Sequence, residues 1–171
     1  AYNASEEEHQ YKINNYTKCL RIAPNYASAY NNRGVVYKDL GNYKDAIADY
    51  SRAITIDPNY AEPYGNRGNA YYDLGNYTDA IADFTRAITI YPDDANTYYN
   101  RGNVYYTKKN YNDAIADYSR AIKIDPDDDN AYYNRGIAYD ELENYNNAII
   151  DYTRVIRING NLFIPGWTVN K

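Results

Sequence analysis

Apolar positions in this chain recur with a helical period, and the whole pattern then repeats as a block. Within residues 27–60, Tyr30, Gly34 and Tyr37 fall at i, i+4 and i+7, one face of a helix. Ala46, Ile47, Tyr50, Ala53 and Ile54 form a wider apolar stripe of the same period. Between the two lies Leu40-Gly41-Asn42-Tyr43, where Gly41 can take the left-handed conformation that ends one helix and Asn42 can cap the next. Pro58 then stops the second helix. The pattern predicts a helix–turn–helix hairpin with helices near 27–40 and 44–56.

The hairpin is repeated without a gap. Asn-Arg-Gly begins at Asn32, Asn66, Asn100 and Asn134, always 34 residues apart. Asp-(Tyr/Phe)-(Ser/Thr)-Arg begins at Asp49, Asp83, Asp117 and Asp151 with the same spacing, and prolines recur at Pro24, Pro58, Pro92 and Pro126. Four repeats follow, at 27–60, 61–94, 95–128 and 129–160, with the later helices expected at 61–74, 78–90, 95–108, 112–124, 129–142 and 145–158. A single hairpin cannot bury its apolar stripe alone, so each must stack on its neighbours. Gly34, Ala46 and Ala53, repeated as Gly68, Ala80, Ala87 and as Gly102, Ala114, Ala121, are where helices can approach most closely. The last repeat has Gly136, Ala148 and Val155 there.

Residues 1–26 align with a second helix that has no first helix before it: Ile13, Tyr16, Cys19, Leu20 and Pro24 match Ile47, Tyr50, Ala53, Ile54 and Pro58. Ser5 followed by Glu8 reads as a capping box, which predicts a helix over 6–22 that acts as an N-terminal cap or a truncated repeat. The tail 161–171 carries Leu162-Phe163-Ile164-Pro165-Gly166-Trp167, and Pro165-Gly166 forbids a helix there. It is expected to fold over the last helix, to reach another molecule, or to stay disordered.

The 34-residue period with its Gly/Tyr/Ala/Tyr/Ala/Pro skeleton resembles the tetratricopeptide repeat (TPR). That resemblance implies an all-α fold, a right-handed α-solenoid of stacked antiparallel helix hairpins. It also implies a concave groove lined by the first helix of each pair. Departures are local: Lys108 replaces the leucine of Leu40, Leu74 and Leu142, and Gly160 stands where a closing proline is expected.

Composition narrows the function. Tyrosine accounts for 25 of 171 residues and asparagine for 24, with 2 Phe and no Met, so the apolar fraction is largely phenol and alanine. Mean hydropathy of -0.84 leaves no room for a membrane span of about 20 apolar residues. A net charge of -5 argues against nucleic acid or an anionic membrane as partner, since both require basic patches. The start AYNASEEEHQ has neither the basic nor the apolar part of a signal peptide and no initiator Met, which suggests a processed product or a fragment. A soluble protein is expected, with the cytoplasm favoured.

Candidate chemistry is sparse. His9 is the single histidine and Cys19 falls on an apolar helix face, so no catalytic residues, cofactor or metal are expected. The run Asp125-Pro126-Asp127-Asp128-Asp129 lacks the glycine and glutamate of a calcium loop and reads as a turn whose carboxylates cap the next helix. Sequons at Asn3, Asn15 and Asn76 are not taken as glycosylation sites. Arg33, Arg67, Arg101 and Arg135 match Asp49, Asp83, Asp117 and Asp151 in number and period and predict a ladder of ion pairs, because a planar guanidinium suits a partly buried carboxylate.

The groove implied by the resemblance places Asn32, Asn66, Asn100 and Asn134 in a row, with Asn69 and Asn103 beside them and Tyr72, Tyr99, Tyr106 and Tyr133 near. Amides carry donors and an acceptor, so such a ladder can satisfy an extended peptide backbone, while tyrosines add rigid contact area. The family's carboxylate clamp for acidic tails needs groove cations, yet those sites carry Asn31, Val35, Asn66, Asn96 and Asn100. Asp39, Glu62, Asp73, Asp140 and Glu141 outnumber Lys38 and Lys108, which favours a neutral to mildly basic peptide. The expected function is a protein–protein interaction module. The alternatives are a self-associating repeat spacer, forming homo-oligomers through its ends or tail, and the recognition arm of a larger enzyme.

Overall fold

The structure, a computed structural model, describes residues 2–160, with side chains described from residue 6. Within them the chain is all-helical: α1 (Tyr2–Ile22), α2 (Ala27–Asp39), α3 (Tyr43–Ile56), α4 (Ala61–Asp73), α5 (Tyr77–Ile90), α6 (Ala95–Thr107), α7 (Tyr111–Ile124), α8 (Asp129–Glu141) and α9 (Tyr145–Ile158). For α2 to α9 every boundary lies within one residue of the position read from the apolar pattern. The tail 161–171 lies outside the described residues.

The turns work as their residues require. Gly41 (φ 72°) and Gly75 (φ 74°) take the left-handed conformation that closes α2 and α4. In the next two repeats Lys109 (φ 59°) and Glu143 (φ 57°) are forced into the same region despite their side chains. The side chains of Asn42, Asn76 and Asn144 accept the backbone N–H three residues on, which caps α3, α5 and α9. Asp128 accepts from the backbone N–H groups of Asn130 and Ala131, so the acidic run 125–129 caps α8. One expectation fails: α1 begins at Tyr2, so Ser5 lies within the helix rather than at its cap. Glu8 is drawn forward to Lys12, 2.7 Å away one turn on, instead of back to the helix start.

Each hairpin closes on its small residues. Ala46, Ala80, Ala114 and Ala148 are buried, and the aromatic rings of Tyr50, Phe84, Tyr118 and Tyr152 lie directly over Gly34, Gly68, Gly102 and Gly136. Between repeats, the second helix of one hairpin packs on the first helix of the next, and α1 packs on α2 in the same way. Successive first helices also touch, α2 with α4, α4 with α6 and α6 with α8, whereas no two second helices do. The first helices therefore form the inner, tighter side of the stack.

The predicted ladder of ion pairs is present and does more than the sequence suggested. Arg67 grips Asp83 with two hydrogen bonds, Nε to Oδ2 at 2.7 Å and Nη2 to Oδ1 at 2.8 Å. Its third nitrogen, Nη1, donates to the Ser51 hydroxyl of the preceding hairpin at 2.8 Å. Arg33 joins Asp49 to Thr17, Arg101 joins Asp117 to Thr85, and Arg135 joins Asp151 to Ser119 in the same way. Each guanidinium lies between two tyrosine rings of its own helix, Tyr64 and Tyr71 for Arg67, with centroids 5.9 Å away.

The two glycines of α4 should respond oppositely to alanine. A Cβ on Gly68 would sit 2.9 Å from the buried Phe84 ring, whereas one on Gly65 meets nothing nearer than the Thr97 hydroxyl at 3.9 Å. Gly68→Ala should cost about 1–3 kcal/mol by overpacking, and Gly65→Ala should be neutral or stabilise by up to about 1 kcal/mol through helix propensity. Urea-unfolding midpoints of the two variants, compared with the parent chain, check both.

Candidate functional site

The inner face is built from the sides of α2, α4, α6 and α8 that turn away from their hairpin partners. The asparagines on it are not equivalent. Asn31, fully buried, accepts from Asn66 Nδ2 at 3.0 Å and donates to Glu62 Oε1 at 3.1 Å and to Asn32 Oδ1 at 3.5 Å. The bonds to Asn66 and Glu62 stitch the first repeat to the second. At the other end Asn134 donates to the Tyr99 hydroxyl at 2.9 Å and to Asn103 Oδ1 at 3.1 Å, and Asn103 Oδ1 also receives the Tyr118 hydroxyl at 2.8 Å. Asn103 and Asn134 are thus held within the chain.

The middle of the row is different. Phe84 stands where Tyr118 stands one repeat later, so Asn69 has no hydroxyl to receive. The side-chain amides of Asn69, Asn96 and Asn100 make no hydrogen bond among the described residues. All three line one cleft of about 460 Å³ between α4 and α6, together with Tyr60, Glu62, Gly65, Asn66, Tyr91, Asp94 and Thr97. Glu62 and Asp94 are its charged groups, and it contains no cation.

The expected site residues therefore divide. Asn66, Asn69 and Asn100 meet in this cleft. Tyr72, Tyr106, Asn103 and Asn134 line a second hollow of about 250 Å³ between α6 and α8. Asn32 belongs to a third, beside α1. Tyr99 and Tyr133 line none of these, and instead lie against Tyr118 and Tyr152 with ring centroids 5.9 Å apart in each pair. Gly65 and Asp94 had no part in the sequence reading of the groove. Their signal was a break in the repeat, glycine at 65 where positions 31, 99 and 133 carry Asn, Tyr and Tyr.

Burial dominates the acid–base behaviour of Tyr50, Tyr60, Tyr118 and Tyr152. It pushes the Tyr60 phenol up to about 12, helped by its hydrogen bond to Glu62. Tyr50, Tyr118 and Tyr152 are raised further, again chiefly by burial, with nearby carboxylates or phenols adding to it. The Tyr50 hydroxyl is buried without a hydrogen-bond partner, because Val35 occupies the position that Asn103 fills for Tyr118.

A stack of four antiparallel helix pairs with an open inner face defines a helical-repeat solenoid. Sequence models described as tetratricopeptide repeat or TPR repeat match residues 27–60 and 130–162, 50–82, and 68–109 and 102–142. Together they run unbroken over 27–162, and the chain belongs to the tetratricopeptide repeat family. No curated protein sequence matches it. Among solved structures it is similar to a crystal structure of MamA, with 26 % identity over 93 % of both chains and a TM-score of 0.85. A second MamA crystal structure matches at 25 % identity over 99 % of this chain and 93 % of that one, with a TM-score of 0.83. MamA 41-end from Desulfovibrio magneticus RS-1 shares the fold at 17 % identity, 95 % of each chain and a TM-score of 0.83. Family and fold make this chain a protein-interaction scaffold. Folds of this kind are typically non-catalytic. Among the described residues no helix is long and apolar enough to cross a membrane, and no group of His, Cys, Asp and Glu side chains could hold a metal ion.

Two outcomes follow from the tyrosines. Tyr118→Phe removes a hydrogen bond to Asn103 and should cost about 1 kcal/mol, whereas Tyr50→Phe removes an unpaired hydroxyl and should leave stability unchanged or raised, both read from urea unfolding. The raised phenols also give an alkaline limit. An unfolded tyrosine ionises near pH 10, so these groups contribute their stability in full below about pH 10 and lose it as pH rises through the folded values. The unfolding midpoint should be level from about pH 7 to 9.5 and fall above about pH 10. The fall should track the tyrosinate absorbance.

Proposed function

We propose that the inner face holds an extended segment of another protein, centred on the cleft between α4 and α6. The observation that carries this reading is the set of unpaired amides of Asn69, Asn96 and Asn100 facing one solvent-open cleft. An amide left unbonded at a folded surface can both donate to and accept from a peptide backbone, which is how a groove binds a strand without dictating its side chains. Tyr72 and Tyr106 extend the same face toward α8, their hydroxyls bonded to Thr107 and Glu141. In this reading the rest of the expected row serves assembly: Asn66 and Asn134 brace neighbouring repeats, and Asn32 receives Asn31.

A second reading, self-association, has its own observation. Ile149 and Ile150 on α9 are 62 % and 63 % exposed. Ile149 occupies the position that Ile47, Ile81 and Ile115 hold in earlier repeats, where the next hairpin partly covers them. Ile150 stands where Ala48, Ala82 and Ala116 point outward. The end of the stack is thus more apolar than its middle.

A peptide array followed by fluorescence anisotropy tests the first reading. Asn69→Ala with Asn100→Ala should weaken the tightest array peptide about 10- to 30-fold, the loss expected for two hydrogen bonds, with the helical circular dichroism unchanged. Unchanged affinity overturns it. Sedimentation velocity on the same samples separates the second: a mass that rises with concentration and falls on Ile149→Lys supports self-association through α9.

A further inference from the structure

The cleft between α4 and α6 has a shape and a charge that the other repeats lack. Position 65 is the cause. Its equivalents in α6 and α8 are Tyr99 and Tyr133, whose rings pack against the aromatic residue of the paired helix. Glycine at 65 supplies no ring, and beyond its own helix backbone a methyl group there would meet nothing nearer than Thr97 Oγ1 at 3.9 Å. The space of about 460 Å³ is of the size that holds a ligand group.

Two carboxylates border it, and both are held in place by neutral partners. Glu62 Oε1 accepts from Asn31 and Oε2 from the Tyr60 hydroxyl at 2.9 Å. Asp94 Oδ1 accepts the Asn96 backbone N–H at 3.1 Å and Oδ2 the Thr97 hydroxyl. Neither carboxylate pairs with a lysine or arginine, so both charges remain uncompensated, and each oxygen keeps a second lone pair. Tyr60 and Tyr91 also line it, and Tyr91 stands at a position that carries Asp57 and Asp125 in the flanking repeats. Tyrosine side chains at a site of this kind suit a cation better than an anion. An acidic or plain aliphatic side chain would leave those charges unmatched.

We propose that this cleft is a specificity pocket that takes one lysine or arginine side chain from the bound segment. The proposal rests on the peptide-binding reading above and adds to it a single required residue type. The amides of Asn69, Asn96 and Asn100 hold the backbone, the stem of the cation fills the space left at Gly65, and its charged end meets Glu62 and Asp94. Both carboxylates are already fixed by their hydrogen bonds, so little ordering is needed on binding.

The test uses the full chain and a random library of acetylated, amidated decapeptides. The tightest selected peptide is remade with each lysine or arginine replaced in turn by norleucine, and dissociation constants are read by anisotropy. One such replacement should weaken binding about tenfold or more, the loss of a charge-assisted hydrogen bond. Two variants locate the effect. Gly65→Tyr installs the residue found at positions 99 and 133 and should abolish the preference for the cation. Glu62→Gln with Asp94→Asn removes both charges. The amide oxygens still accept from Asn31 and the Asn96 N–H, and the amide NH2 groups donate to the Tyr60 and Thr97 hydroxyls, which reverse their roles. This variant should bind the charged and norleucine peptides equally. Binders that show no cation preference, or a preference unchanged in both variants, overturn the pocket while leaving the groove intact. If no library member binds, the groove reading and the pocket fall together.

Discussion

The three-way grip of each arginine is the contact on which the rest of the solenoid depends. A guanidinium has a fixed fork of donors, and here two of them take both oxygens of an aspartate while a third reaches back to a hydroxyl. The pair is largely withdrawn from water, with the Asp83 side chain 9 % exposed and that of Arg67 19 %. Burying two charges is costly, and removing only one partner would leave the other stranded at greater cost still. What compensates is completeness: a bidentate bond, a third bond, and a tyrosine on each side. One residue therefore fixes the two helices of its own hairpin and its distance from the hairpin before. Lysine could not replace it, because a single ammonium cannot present that planar fork.

This explains why the fold was so legible. Everything that sets the helices is local and repeated: the apolar stripe, the left-handed turn, the asparagine cap, the close-approach glycine beneath a ring. Repetition multiplies each weak signal, so helix ends could be read to within a residue. The charge pattern was legible as a pairing but not as a three-way contact. The third partner was visible as the hydroxyl residue after each aromatic, Ser51, Thr85, Ser119 and earlier Thr17. It lacked a reason until the preceding helix was placed beside the arginine. The start of α1 was misread because Ser5 and Glu8 match a cap motif, while Glu8 has a closer partner one turn ahead.

The site was less legible, for the opposite reason. Periodicity suggested a uniform row of amides, whereas binding capacity follows from which amides the chain leaves unused. That depends on residues that break the period: Phe84 in place of a tyrosine, Gly65 in place of a ring, Asp94 where Tyr60 precedes it. A row that looks continuous in sequence is divided in space into amides bonded within the chain toward both ends and unbonded ones at the centre.

The arginine grip also has a consequence for how the molecule comes to be folded. Each one reaches 16 residues forward to its aspartate and 16 back to its hydroxyl. A hairpin and the helix before it can complete such a grip while the rest of the chain is still unfolded. Short loops of this kind cost little entropy to close, and no long-range pairing has to be found first. Folding can thus start at any repeat and spread to both sides, each new grip forming on a surface already prepared by the last.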